Sequence, residues 1–227
     1  MNKNDKVFFD RAKKCYELKE LERLGLTPTL EQRELILKFV ALLLKWNKAA
    51  GLISPGDEEH LFLRHFCDSL QPLLLFGFKK NARILDVGAG GGFPSIPIRI
   101  FRPDLGFVLA ESNKKKAMFL SQTKQDISLE NLEVYPKRVE SLSAPSGGFD
   151  YVISRGLGSL QKFSQLARPF LAKDGHMYTF KTKQFAQELE LITSSKEKEG
   201  IKISEIAEYD LGNQIFGLNL VSLELTR

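Results

Sequence analysis

The sequence predicts an α/β fold. Its parts are a mostly parallel sheet of seven strands, an antiparallel hairpin at the end, and an N-terminal helical extension. Three observations carry this. From Arg83 onward, short β-branched runs alternate with helix-length amphipathic stretches, which indicates parallel strands joined by right-handed crossovers. The first such run, Ile84-Leu-Asp-Val87, leads into Gly88-Ala-Gly-Gly-Gly92 and then Pro94, a strand, a turn almost free of Cβ atoms and a helix start. Finally, the candidate strands ending at 209 and starting at 218 lie too close in sequence for a helical crossover, so they pair antiparallel.

In chain order, residues 1–26 read as one amphipathic helix carrying Phe8, Phe9, Leu18, Leu21 and Leu24 and ending near Gly25. Thr29-Leu-Glu-Gln32 has the form of a capping box. The helix it opens buries Leu35, Phe39, Leu42, Leu43 and Trp46 and stops before Gly51. Ser54-Pro55 starts a further helix through Leu61, Phe66, Leu70 and Leu73 to Gly77. The expected division is thus a helical extension over 1–80, packed on a sheet domain over 81–227. Expected strands are 83–87, 107–111, 132–135, 151–154, 175–181, 202–209 and 218–225, with helices near 94–101, 114–124, 159–171 and 183–199.

The composition is that of an ordinary soluble domain, with 227 residues, 43% hydrophobic and 27% charged. No apolar run reaches the roughly 18–20 residues that span a bilayer, and residues 1–14 lack the apolar core of a secretory signal. Cys15 and Cys67 form no pairing or metal-ligand pattern, which points to a reducing cytoplasm and no metal. No membrane partner is expected. The net charge of +5 permits a polyanionic partner without demanding one.

Strand, glycine turn and helix together form the floor of a Rossmann-like nucleotide pocket. A dinucleotide fingerprint would place glycine at 93, where this chain has Phe93. Twenty-three residues after Gly88, at the end of the second strand, stands Glu111, placed to accept hydrogen bonds from ribose hydroxyls. The site therefore suits an adenosine-containing ligand touched by Gly88 and Gly90. Asp86 ends the strand and either contacts the ligand or organises the loop. Ser154-Arg155 ends the fourth strand beside the same crevice, and a planar guanidinium suits a guanine edge or a phosphate. Lys181, ending the fifth strand, is a similar case.

These residues resemble the class I S-adenosylmethionine-dependent methyltransferases. More narrowly they resemble the bacterial glucose-inhibited division protein B family, the guanine-N7 methyltransferases of small-subunit ribosomal RNA. The likeness runs from about Leu35 to Glu190. It is carried by Trp46-Asn47, Arg64-His65 with Asp68-Ser69-Leu70, Leu85 to Pro94, Lys115-Lys116 with Phe119-Leu120, Arg138 with Glu140, Ser154-Arg155 and Lys181. Ser95 and Thr182 replace usual glycines, Gly156 a usual alanine and Glu111 a usual aspartate. The departures at 156 and 182 border the expected target pocket.

The resemblance implies S-adenosyl-L-methionine as cofactor, held by Asp86, Gly88, Gly90, Phe93, Glu111, Val139, Glu140 and Arg155. Arg155 and Lys181 are the implied catalytic residues. Asn47 and His65, with Asp68, are implied to fold toward the mouth of the active site as RNA contacts. Apart from the resemblance, the charge run Lys114-Lys115-Lys116 is expected to join Lys79, Lys80, Arg83 and Arg138 in a phosphate-binding rim for RNA. The implied partner is 16S ribosomal RNA or the small subunit, met by a cytoplasmic monomer. Three other readings compete: a small-molecule methyltransferase, a non-catalytic RNA-binding or ribosome-assembly factor, and a nucleotide-binding oxidoreductase, the last disfavoured by Phe93.

Overall fold

The computed structural model describes residues 3–182, 185, 188–189, 200–212 and 215–226. Seven strands form one sheet in the order β3-β2-β1-β4-β5-β7-β6. The strands are β1 Arg83–Val87, β2 Gly106–Ala110, β3 Leu132–Tyr135, β4 Phe149–Ser154, β5 Leu171–Thr182, β6 Ile201–Tyr209 and β7 Leu218–Leu225. The pairs among β1 to β5 are parallel. Strand β7 inserts between β5 and β6 and is antiparallel to both, so the expected hairpin closes the sheet with β6 at its edge. Strand order reverses between β1 and β4, and ligands of open α/β sheets bind at the carboxyl ends flanking such a switch.

Side chains alternate between the two faces. Ile84, Phe107, Leu109, Tyr151, Ile153 and Leu220 face a core shared with Ile36, Phe39, Leu43, Phe62 and Phe66 of the helical extension and with α5 (Ser95–Phe101) and α6 (Lys114–Asp126). Leu85, Val87, Val152 and Met177 face a second core closed by Leu160 and Phe163 of α7 (Leu160–Ala167).

The extension departs from expectation in a readable way. Two helices, α1 (Lys3–Cys15) and α2 (Leu18–Arg23), replace the single one. Ala12 and Leu21 are both fully buried, yet residues nine apart on a straight helix point about 180° away from each other. The chain bends at Tyr16, whose ring packs edge-on against Phe62 with centroids 5.1 Å apart. Helix α3 (Leu30–Ala50) forms as read, with the Thr29/Gln32 capping box made and Gly51 at φ 59° closing it. The helix expected from 55 to 77 is broken into a 3₁₀ stretch Pro55–His60, a π-helical stretch Phe62–Cys67 and the short α4 (Gln71–Leu75). Pro72 lacks the N–H that a continuous helix needs there. The helix expected over 159–171 ends at Ala167 and passes through a 3₁₀ turn. Most of the helix expected over 183–199 lies outside the described residues. No described helix is long and apolar enough to cross a membrane.

Candidate active site

Two groups of residues flank the switch between β1 and β4. The first is the glycine turn. The N–H groups of Gly88 and Ala89 donate to the Ala110 carbonyl at 2.9 and 3.2 Å, which ties the turn to the end of β2. The Glu111 carboxylate completes the anchoring, accepting the Gly90 N–H at 2.9 Å and the Asn113 N–H at 2.7 Å. Each of its oxygens keeps a lone pair for a further donor. Gly88 is exposed and Gly90 half-buried. A Cβ on Gly90 would meet only the Gly88 carbonyl within 4 Å, so the turn offers an open, side-chain-free surface backed by a carboxylate. That surface fits a ligand bearing paired hydroxyls.

Asp86 and Phe93, the other residues expected at the turn, are buried. Asp86 lies on the helix-covered face of β1 and is fully buried. Its Oδ2 accepts the Ser95 hydroxyl at 2.6 Å, joining β1 to α5, and its Oδ1 is buried without a partner. Burial pushes its pKa up to about 7, with Glu111 adding to the rise and Ser95 opposing it. Of the two roles weighed for Asp86, ligand contact or organising the loop, the carboxylate here serves the protein's own structure by holding Ser95. Phe93 also serves the core. It is 6% exposed and packs edge-on against Phe39 at 5.4 Å and beside His65 at 5.4 Å. Val139 is buried in a one-turn 3₁₀ segment after β3, while Arg138 and Glu140 beside it are exposed.

The second group centres on Arg155. Its Nε pairs with Asp68 Oδ2 at 2.9 Å, its Nη1 lies 2.9 Å from His65 Nδ1, and its Nη2 donates to the Arg64 carbonyl at 2.6 Å. Three of the five guanidinium N–H groups thus hold the helical extension onto β4. Tyr209, at the end of β6, donates its hydroxyl to Asp68 Oδ1 at 2.6 Å. Burial raises the Asp68 pKa against the opposing pull of Arg155 and Tyr209. His65 is driven down to about 4, first by burial and then by the Arg155 charge. It is therefore neutral near pH 7, and Nδ1 accepts from Arg155, which leaves the ring proton on Nε2 facing Asp57 Oδ2 at 3.5 Å. Asp57, Arg64, His65, Asp68, Arg155 and Phe216 line one cavity of about 330 Å³. Sequence reading found Arg155 and His65 but missed Asp57, Tyr209 and Phe216, which no motif marks and which only the β6–β7 connection and the 3₁₀ stretch bring near.

Other expected site residues are placed elsewhere. Asn47 is not open to a substrate. Its Oδ1 accepts the Leu52 and Ile53 N–H groups at 2.9 and 3.0 Å, and its Nδ2 donates to Glu58 at 2.8 Å, so its amide holds the turn after α3. The Lys181 ammonium donates to the Gly158 carbonyl and pairs with Glu188 at 2.8 Å. It is not among the residues lining the Arg155 cavity, and it positions the β4–α7 loop. Lys114 and Lys115 are exposed and Lys116 half-buried at the start of α6, capped by Asn113. They follow β2 as Arg138 follows β3, on the glycine-turn edge of the sheet. Lys79, Lys80 and Arg83 precede or open β1, and Arg83 donates to the Ser146 and Gly148 carbonyls at 3.1 and 2.8 Å. The expected rim is thus split between opposite ends of the sheet. Among the described residues no group of three His, Cys, Asp or Glu is placed to hold a metal ion.

The family model for rRNA small subunit methyltransferase G matches residues 32–215. The chain belongs to this family. A relative from Chromobacterium violaceum, named ribosomal RNA small subunit methyltransferase G, is 38% identical over 191 residues, covering 84% of this chain and 88% of its own. A relative of the same name from Streptococcus equi subsp. zooepidemicus is 34% identical over 198 residues, covering 85% and 83%. The family span takes in both the glycine turn and the Arg155 cluster and ends one residue before Phe216. Among solved structures, a SAM-dependent methyltransferase from Aquifex aeolicus superposes with a TM-score of 0.56 at 16% identity, covering 80% of this chain and 97% of that one. That likeness is one of fold.

Proposed function

We propose that this protein transfers a methyl group from S-adenosyl-L-methionine to N7 of a guanine in 16S ribosomal RNA of the small subunit, acting as a cytoplasmic monomer. Family membership supports the reaction class and the RNA substrate. The observation that carries the cofactor half is the open face of Gly90 backed by the Glu111 carboxylate.

S-adenosylmethionine, when bound, supplies a methyl group activated by its sulfonium. Glu111 accepts the ribose hydroxyls with the lone pairs its two backbone donors leave free. The Val139 backbone and the exposed Glu140 border the adenine. Guanine N7 has a lone pair and no proton, so the transfer needs no general base. A neutral His65, with both ring nitrogens already directed at Arg155 and Asp57, is consistent with that. Catalysis then rests on alignment, which is worth roughly 7–11 kcal/mol when the reacting atoms are held in line. Arg155 keeps two N–H groups for the base or an adjacent phosphate and stays cationic throughout. Lys181 acts through the loop it clamps. Lys114, Lys115, Lys116 and Arg138 form the phosphate-facing rim on the cofactor edge. N7 is on the major-groove edge, which is inaccessible in an A-form helix, so the acceptor sits in looped or opened RNA.

The deciding measurement is transfer of tritiated methyl to undermethylated small subunits, compared with naked 16S RNA and with small metabolites. Label on guanine N7 of the subunit or its RNA supports the proposal. Label on small metabolites alone, or no label from protein that binds the cofactor, overturns it.

A further inference from the structure

We infer that the cavity beside Arg155 is the seat of the acceptor base, with the Phe216 ring stacked on the guanine and the Asp57 carboxylate accepting its N1–H and N2–H groups. This rests on the function proposed above and adds two residues to it. Phe216 is 59% exposed and is the only exposed aromatic side chain among the described residues. It stands in the β6–β7 connection, whose ends are drawn together by the Gly217 N–H donating to Asp210 Oδ1 at 2.7 Å. The ring is presented to solvent and lines the same cavity as Arg155. An unstacked base offers a π-face that replaces its lost neighbours on such a ring, and proteins that read single-stranded RNA use aromatic platforms in this way.

Asp57 supplies the polar half. Its Oδ1 pairs with Arg64 at 3.0 Å, and its Oδ2 faces His65 Nε2 at 3.5 Å and no other partner among the described residues. A carboxylate accepts about four hydrogen bonds, so both oxygens retain capacity. Guanine carries two adjacent donors on its Watson–Crick edge, which matches a carboxylate. Adenine presents an acceptor at N1 and would face it unpaired. Guanine N7 lies on the far side of the base from N1 and N2, so a guanine gripped by Asp57 keeps N7 free. The Arg64 side chain is 48% exposed at the cavity and meets the phosphate of the same nucleotide.

The test uses the full-length protein carrying Phe216→Ala, Phe216→Trp or Asp57→Asn. Calorimetry with S-adenosylhomocysteine comes first. Unchanged affinity in all three shows that folding and the cofactor half are intact. On undermethylated small subunits, Phe216→Ala is expected to lower kcat/KM about ten- to hundredfold, with Phe216→Trp restoring it to within about threefold of the wild type. Asp57→Asn offers a donor and an acceptor, matching adenine. On subunits whose acceptor guanine, once mapped, is replaced by adenine, its guanine-to-adenine preference is expected to fall at least tenfold. A merely structural role for Asp57 would lower both activities alike and leave that ratio fixed. Wild-type kcat/KM in Phe216→Ala, or an unchanged ratio in Asp57→Asn, overturns the inference while leaving the methyltransferase reading in place. Wild-type protein that labels no subunit would instead sink the methyltransferase reading itself.

Discussion

Gly90 and Gly92 stand two residues apart in one turn, and adding a methyl group to each should produce opposite phenotypes. Gly92 has φ +82°, and a Cβ there would collide with Ile96 Cδ1 and lie 3.0 Å from its Cγ1. Ile96 is fully buried in α5, so it cannot swing away. The left-handed backbone costs about 1–2 kcal/mol and the overpacking about 1–3 kcal/mol, together about 2–5 kcal/mol. That is a large share of the roughly 5–15 kcal/mol that stabilises a domain. Gly90 has φ +55°, and its added Cβ would meet only the Gly88 carbonyl at 3.8 Å. Its penalty is the backbone alone, about 1 kcal/mol, but the new methyl group projects into the space assigned to the cofactor. Urea denaturation of the free protein and calorimetry with S-adenosylhomocysteine separate the two effects. Gly92→Ala should lose several kcal/mol of stability, and Gly90→Ala should lose at least tenfold in affinity with nearly normal unfolding. Normal cofactor affinity in Gly90→Ala would refute the assignment of that open surface.

Three further outcomes follow from the same geometry. Because burial raises the Asp86 pKa above its unfolded value, to about 7, the folded state binds the extra proton and wild-type stability declines as pH rises from about 4 to 7. Asp86→Asn removes that slope, so its stability relative to wild type should climb across this window by up to about 4 kcal/mol; denaturation at pH 4.5 and pH 8 measures it, and a pH-independent difference contradicts it. Glu111→Gln turns one of two acceptor oxygens into a donor facing a backbone N–H, and cofactor affinity by calorimetry should fall about tenfold or more. Tyr209→Phe strips a hydrogen bond from buried Asp68 and should cost about 1–3 kcal/mol in urea denaturation. An unchanged midpoint would mean that Asp68 finds another donor.

What was readable in the sequence was local. The β1 apolar run, the glycine turn, the capping box at Thr29 and the short β6–β7 gap each act over a few residues, and each forms as expected. The strand-end position marked Arg155 and the family resemblance added His65, and the two do meet. What sequence did not reveal depends on contacts across long stretches of chain. Arg155 reaches back to 64, 65 and 68, and Tyr209 reaches back to 68. The break at Tyr16 was latent in the burial of both Ala12 and Leu21, but nothing local says that both are buried. Grouping Lys79, Lys80 and Arg83 with the α6 lysines failed because charge spacing carries no information about which end of a strand a residue occupies. Asn47 and Asp86 have side chains that suit ligand contact equally well, and only their neighbours show them tied to the protein's own backbone and hydroxyl groups.

The two halves of the site differ in how much of the chain each requires. The glycine turn and its acid are complete within residues 84–140. The cavity around Arg155 closes only when the final hairpin delivers Tyr209 and Phe216 to the helices near the start. Loss of the last strands would therefore leave the acid's grip on the turn with all its partners, while taking the Tyr209 donor from Asp68 and the Phe216 ring from the cavity.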